Sequence, residues 1–129
     1  MITADQLVAH AVGDYIMQSD WMATEKTKRS VAALAHVATY ALPFLFLTRS
    51  LPALAFIIGT HFVIDRWRLA RFLCWAKNWP WPGARPWSEC TATGYPPDRP
   101  TWLVVWLLII CDNTLHVLCN GLALSWTSR

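Results

Sequence analysis

Histidine and aspartate recur at helical spacing in the most apolar parts of this 129-residue chain. Three of the four histidines have an aspartate four residues away, in the pairs His10 with Asp14, His61 with Asp65, and Asp112 with His116. Residues four apart lie on one face of an α-helix, so each pair would present an imidazole beside a carboxylate. The fourth histidine, His36, has Tyr40 at the same spacing.

Carboxylates in such apolar stretches need a compensating charge. An aspartate at the centre of a membrane helix costs on the order of 2.5–3.5 kcal/mol. A bound divalent cation supplies positive charge and accepts both imidazole nitrogen and carboxylate oxygen. We therefore predict a site for Zn²⁺, with Mn²⁺ or Fe²⁺ as alternatives, whose candidate ligands are His10, Asp14, His36, His61, Asp65, Asp112 and His116.

Seven candidates exceed the number of ligands that one tetrahedral ion needs. Either two ions bind, or some of the aspartates orient the histidines instead of contacting metal. Two metal-free interpretations also stay open at this point. Chains of aspartate and histidine serve as proton or ion paths in transporters, and polar side chains can simply hold membrane helices together by hydrogen bonds.

Other polar residues could support such a site. We expect three of them to orient the ligands by hydrogen bonds, namely Gln18, Tyr40 and Asn113. A basic group that follows the first apolar stretch could hold an anionic headgroup or substrate, and its members are Lys26, Lys28 and Arg29. Basic residues at that place are equally explained by membrane topology alone.

The composition favours a membrane protein over a soluble one. Hydrophobic residues make up 55% of the chain and charged residues 15%, and the mean hydropathy is +0.30. A spanning helix needs roughly 20 apolar residues. The apolar runs predict an all-α fold, a single transmembrane domain over residues 1–129 with about four helices, at about 3–18, 31–48, 52–73 and 101–126.

The predicted connections differ in length. Two are short hairpins, whereas residues 77–100 are rich in proline and glycine and predict a longer loop. Seven of the nine tryptophans lie between Trp67 and Trp106. Because tryptophan favours the headgroup zone, we interpret them as an aromatic belt at the inner membrane face, with substrate contact as the alternative.

Lysine and arginine alternate between the connections. None lies before the first connection, which holds three. The second connection holds one, the end of the third predicted helix and the third connection together hold six, and the tail holds one. The positive-inside rule then places both termini outside and the longer loop in the cytoplasm, in a bacterial inner membrane. The net charge of +3 belongs to these connections and does not indicate a nucleic-acid partner.

The four cysteines are expected to be free thiols. Cys74 and Cys90 flank the predicted cytoplasmic loop, where the environment is reducing. Cys111 and Cys119 lie within a predicted apolar helix, where a free cysteine behaves as a small hydrophobic residue.

Four segments resemble a family of small bacterial and phage membrane proteins, domain of unknown function 3307. They are AHAVGDYIMQSDWMATEK at 9–26, LAHVATY at 34–40, THFVIDRWR at 60–68 and CDNTLH at 111–116. The resemblance covers most of the chain apart from the third connection. It implies a polar signature that contains the predicted ligands together with Gln18, Asp20 and Lys26, and it adds Asp20 to the supporting residues. It implies no activity.

The metal-site hypothesis leads to two classes of function. In the first, the metal activates a water that attacks a lipid or a lipid-linked ester or phosphoester, as in a metal-dependent hydrolase. In the second, the chain is a non-enzymatic membrane protein that conducts protons or ions, or acts on a membrane complex of its host. The expected partners are the lipid bilayer, a lipid-like substrate, a host membrane protein or a second copy of the chain.

Overall fold

The computed structural model describes residues 2–126, and every element of regular secondary structure among them is a helix. The helices are α1 (Ala4–Ala11), α2 (Asp20–Glu25), α3 (Ser30–Tyr40), α4 (Leu51–Trp67), α5 (Ala70–Asn78), α6 (Trp87–Cys90) and α7 (Thr101–Ser125). A π-helical turn, Val12–Ile16, follows α1, and a 3₁₀ turn, Pro43–Phe46, follows α3. The predicted all-α fold is confirmed.

The predicted helix over 3–18 is an α-helix that changes into a wider π-helical turn at Val12. Thr3 begins it, since its hydroxyl accepts a hydrogen bond from the backbone N–H of Gln6 at 3.3 Å. Ser19 caps the next helix, α2, in the same way, accepting from the N–H of Met22. The connection predicted between the first two helices therefore contains a short helix of its own.

Two of the predicted long helices are interrupted. The helix expected over 31–48 ends at Tyr40 and continues as the 3₁₀ turn that begins at Pro43, because proline has no N–H to extend the α-helical pattern. The helix expected over 52–73 ends at Trp67. Arg68 there has a left-handed backbone with a φ of 52°, and α5 begins two residues later. The loop expected over 77–100 contains α6.

The described chain divides into two compact units, one of residues 2–67 with 116–126 and one of residues 68–115. In the first, Tyr40, Phe44 and Ile57 are fully buried in an apolar core. In the second, the core contains Cys74, Tyr95 and Val104. The chain passes from one unit to the other between Trp67 and Arg68 and again within α7, between Leu115 and His116. The single domain over residues 1–129 stays a prediction.

Polar side chains are buried and large apolar ones are exposed in the first unit. Its fully or almost fully buried side chains include Gln6, His10, Asp14, His36, His61, Asp65, His116 and Asn120. By contrast, Phe46 is 90% exposed, Leu51 78% and Ile16 77%. Buried polar groups and large exposed apolar groups are both uncommon in soluble proteins, and this unit combines them with its apolar core.

One helix of the described chain, α7, is long and apolar enough to cross a membrane. Only 11% of its most apolar 18 residues are buried. The shorter apolar segment Ser30–Phe46 falls below that length. The four-span bundle thus stays a prediction.

Candidate metal centre

Four buried side chains converge on one point in the first unit. Nε2 of His36 lies 3.0 Å from Nε2 of His61 and 3.1 Å from Oδ1 of Asp14. Oδ2 of Asp65 lies 3.3 Å from Nε2 of His36 and 3.1 Å from Nε2 of His61. Nε2 of His61 is 3.4 Å from Oδ1 of Asp14, and all four residues are buried. We call these four residues the inner cluster.

Three separate elements bring the inner cluster together. His61 and Asp65 are one turn apart on α4, so the helix alone places them side by side. His36 comes from α3, and Asp14 comes from the π-helical turn. That turn lies close to α3, since a Cβ added to Gly13 would lie 2.6 Å from Cδ2 of Tyr40. A glycine at this position allows the approach.

The outer oxygen of each carboxylate faces a further histidine. Nε2 of His116 lies 3.2 Å from Oδ1 of Asp65, and Nε2 of His10 lies 3.6 Å from Oδ2 of Asp14. Both histidines are buried. Of the seven predicted ligands, four therefore converge and two contact the carboxylates from outside. We expected some aspartates to orient histidines. Here the two outer histidines, His116 and His10, contact the aspartates of the inner cluster instead.

Tyr40 contacts two of the histidines, His61 and His10. The ring centroids of Tyr40 and His61 are 3.7 Å apart. The ring of His61 also stacks on that of His116, with centroids 3.9 Å apart. Asn120 donates a hydrogen bond of 2.6 Å to the Tyr40 hydroxyl, which lies 2.9 Å from Nδ1 of His10. When the hydroxyl donates to Nδ1, neutral His10 carries its proton on Nε2, the atom that faces Asp14.

Lys26, one of the three basic residues predicted to contact a headgroup, lies against the inner cluster. Its Nζ lies 2.8 Å from Oδ2 of Asp65 and 3.4 Å from Nε2 of His36. The side chain is 16% exposed. Lys26 thus places a positive charge against a buried carboxylate, a source of compensating charge that the sequence analysis did not consider.

The other two basic residues of that group form ion pairs at the surface. Nζ of Lys28 lies 3.1 Å from Oε1 of Glu25, and Nε of Arg29 lies 3.2 Å from Oε2 of the same residue. Both cations are largely exposed. The structure therefore separates Lys26 from its two neighbours.

The remaining predicted residues lie outside the inner cluster. Asp20 is exposed in the first turn of α2, and Gln18 is half-buried just before it. The Asn113 side chain donates to the backbone carbonyl of Ile109 in its own helix, at 2.8 Å. Asp112 is half-buried one turn before His116 on α7, and it belongs to the second unit.

Two buried amides were absent from the predicted site. Gln6 donates from Nε2 to the backbone carbonyl of Val117 at 2.6 Å, and Asn120 holds Tyr40. The same four-residue spacing could have identified them, because Gln6 precedes His10 by four and Asn120 follows His116 by four. Spacing alone does not say that they are buried.

The donor set of the inner cluster fits a divalent cation. Two imidazole nitrogens and two carboxylate oxygens are ligands that Zn²⁺, Mn²⁺ and Fe²⁺ all accept. A tetrahedral ion with ligands about 2.0–2.1 Å away has neighbouring ligands about 3.3 Å apart. Five of the six separations among these donor atoms are 3.0–3.4 Å, close to that value. The inner cluster could hold a metal ion.

The cysteines take no part in the inner cluster. Burial raises the pKa of the Cys74 thiol to about 12, and burial also raises the pKa of Cys90. Since metal ligation requires the thiolate, these two groups are poor ligands. All four cysteines are free, as expected.

No curated protein and no solved structure matches the chain. A family model does match residues 2–119, and its description is a protein of unknown function, DUF3307. The match includes every member of the inner cluster and Lys26, and it confirms the resemblance seen in the four segments. The chain belongs to the DUF3307 family.

Proposed function

We propose that this chain is a membrane-embedded protein that binds one divalent metal ion in the inner cluster. The observation that supports the proposal most strongly is the convergence of four buried donor atoms at separations typical of a metal coordination shell. Zn²⁺ is the ion we propose first, since four nitrogen and oxygen ligands complete its tetrahedral shell. Mn²⁺ and Fe²⁺ take more ligands and are the alternatives.

The burial of polar side chains and the exposure of large apolar ones support a location in the bilayer. Exposed apolar side chains such as Phe46, Leu51 and Ile16 are solvated well by lipid and poorly by water. Ionisable groups inside a membrane face the interior of a bundle and pair with one another, as those of the inner cluster do. We propose four membrane-embedded segments, of which α7 alone has the full spanning length, with both termini outside the bacterial inner membrane.

A hydrolase acting on a lipid or a lipid-linked (phospho)ester is the activity we propose if the ion keeps a free position. A tetrahedral zinc with four protein ligands is closed, whereas Mn²⁺ or Fe²⁺ would leave positions for water. Lys26 would contact an anionic group only by leaving Oδ2 of Asp65, which lies 2.8 Å from its Nζ. If four protein ligands fill the coordination shell of the ion and leave no position for water, the non-enzymatic alternative is favoured, namely a proton or ion path or an accessory factor.

Metal content tests the proposal directly. The purified, detergent-solubilised chain, equilibrated with zinc, manganese or iron and then desalted, should retain about one ion per chain. His61→Ala and Asp65→Asn should lose it, because each removes a central ligand. Asp20→Asn is the matched control, since it removes an exposed carboxylate outside the inner cluster. His10→Ala should bind roughly 10- to 100-fold more weakly, as outer partners of ligands usually do.

The opposite result is equally clear. A folded wild-type chain that retains none of the three ions would contradict the metal site and leave the hydrogen-bond or proton-path interpretation. Activity requires a separate measurement on the metal-loaded chain, namely release of water-soluble headgroup from phosphatidylglycerol vesicles, with Asp65→Asn as the inactive control. A loaded chain without turnover would select the non-enzymatic alternative.

A further inference from the structure

The second unit, residues 68–115, contains a cavity of about 280 Å³, and no residue of the inner cluster lines it. Tryptophan and arginine side chains dominate its wall, in particular Trp75, Trp79, Trp81, Arg85 and Arg99. Its volume is at the small end for ligand pockets, so it suits a headgroup-sized molecule better than a whole lipid.

Hydrogen bonds within the loop hold the cavity wall in place. Nε1 of Trp75 donates to the backbone carbonyl of Arg85 at 3.1 Å, and Nη2 of Arg99 reaches the carbonyl of Gly83 at 3.5 Å. Gly83 has a φ of 84°, a backbone conformation that suits glycine. Residues that are distant in the sequence therefore form one wall, and the cavity is a property of the folded loop.

The charge of the cavity is positive. Arg85 and Arg99 both line it, and each is exposed. The ion pair of Arg85 with Glu89 is long, at 3.7 Å, and both partners are about half exposed. Such a pair is weak, so it leaves the guanidinium able to bind an anion. Guanidinium groups bind phosphate through paired hydrogen bonds.

Apart from Asn78, the rest of the wall is apolar or aromatic. Trp79 is 61% exposed and Trp81 68%, and Leu103 and Leu107 contribute from the first two turns of α7. Trp102, on the same part of α7, is 68% exposed. Tryptophans at the end of a spanning helix lie at headgroup depth. If α7 spans, as we propose, this cavity lies at the depth where lipid phosphates are found.

We propose that this cavity binds the headgroup of an anionic phospholipid, with Arg85 and Arg99 contacting the phosphate and the indole rings packing on its glycerol and upper acyl carbons. The depth argument rests on the membrane location proposed above. The binding itself depends on no metal, so that its failure and the failure of the metal site are separate results.

Lipid binding to the full chain in detergent micelles tests this proposal. Phosphatidylglycerol, titrated against the change in tryptophan fluorescence, should bind saturably, whereas phosphatidylcholine should not. The double variant Arg85→Gln, Arg99→Gln should bind phosphatidylglycerol roughly tenfold more weakly or worse. Arg49→Gln is the matched control, because it removes one exposed arginine outside this unit and should bind as the wild type does.

Three outcomes would overturn the proposal. Equal affinity of the double variant and the wild type would exclude the two arginines. Equal binding of phosphatidylcholine would exclude selection for an anion. Saturable binding of glycerol 3-phosphate as tightly as phosphatidylglycerol would assign the cavity to a soluble phosphoester instead of a lipid. If the double variant does not fold, Trp79→Ala replaces it, and unchanged phosphatidylglycerol affinity in that variant overturns the proposal in the same way.

Discussion

At the scale of single residues, Lys26 distinguishes two sources of positive charge for the buried carboxylates, a lysine ammonium group and a bound metal ion. Its ammonium group lies 2.8 Å from Oδ2 of Asp65, an oxygen that is also 3.1 Å from Nε2 of His61. Lysine carries one positive charge and a divalent ion two. The lysine therefore compensates one of the two inner carboxylates, Asp14 and Asp65, and a cation in the inner cluster would lie close enough to repel it.

This geometry makes the Lys26→Met variant informative. With the competing charge removed, zinc should bind tighter by roughly tenfold or more. Without metal, the variant should melt at a lower temperature than the wild type, because Asp65 loses its cationic partner. Added zinc should restore most of that loss, since a ligand that binds the folded state stabilises it. Melting curves with and without zinc measure both effects.

Lys28→Met is the control for this experiment. Lys28 pairs with Glu25 at the surface and should change neither zinc affinity nor melting temperature appreciably. If zinc neither bound to Lys26→Met nor raised its melting temperature, lysine alone would be the counter-charge and the metal hypothesis would fail.

At the scale of elements, the inner cluster depends on a close contact between the π-helical turn Val12–Ile16 and α3. Gly13 makes that contact possible. Its added Cβ would lie 2.6 Å from Cδ2 and 3.0 Å from the carbonyl oxygen of Tyr40. Tyr40 has little freedom to move, because it is fully buried and Asn120 donates to its hydroxyl. The turn that carries Asp14 is thereby fixed against the helix that carries His36.

We therefore expect Gly13→Ala to lower the free energy of unfolding by about 1–3 kcal/mol, the usual cost of overpacking. Metal affinity should fall with it, since Asp14 would be displaced from the other three ligands. Gly59→Ala is the control within α4: no atom lies within 4 Å of its added Cβ. That change should be neutral or stabilising by up to about 1 kcal/mol. Equal stability of the two variants would contradict the close contact.

At the scale of the whole molecule, the charge distribution and the apolar surface argue for membrane insertion in one orientation. Five of the eleven lysines and arginines lie in the unit of residues 68–115, which carries the tryptophan-lined cavity. From the positive-inside rule we predict that this part faces the cytoplasm and that the second connection, with its single Arg49, faces the outside.

Cysteine labelling in intact cells tests that orientation. Ser88 and Arg49 are both exposed, so a cysteine at either position is accessible on its own side of the membrane. A membrane-impermeant maleimide should label Arg49→Cys and should label Ser88→Cys only after the cells are broken. The wild type corrects for the native thiols. Labelling of Ser88→Cys from outside would reverse the topology, and recovery of the chain in the soluble fraction would contradict membrane insertion altogether.

The sequence by itself determined the all-α fold and the four residues of the inner cluster as candidate ligands. Three histidine–aspartate pairs at a spacing of four are local information, and helix geometry converts it into shared faces. Of these pairs, His61 with Asp65 appears in the inner cluster, and the outward contact of His10 with Asp14 also follows from spacing alone. The family, too, could be recognised from four short segments and is confirmed.

Only the tertiary structure decided which residues converge and what they do there. His36 meets Asp14 across 22 positions of sequence, and His116 meets Asp65 across 51. Such contacts depend on how helices pack, which no periodicity encodes. The same holds for Lys26, whose side chain lies in the cluster while Lys28 beside it is at the surface. The helix break at Arg68 could not be predicted, because no glycine or proline lies there. Its left-handed backbone accompanies contacts that exist only in the folded chain, such as the hydrogen bond from its guanidinium to the carbonyl of Ala92.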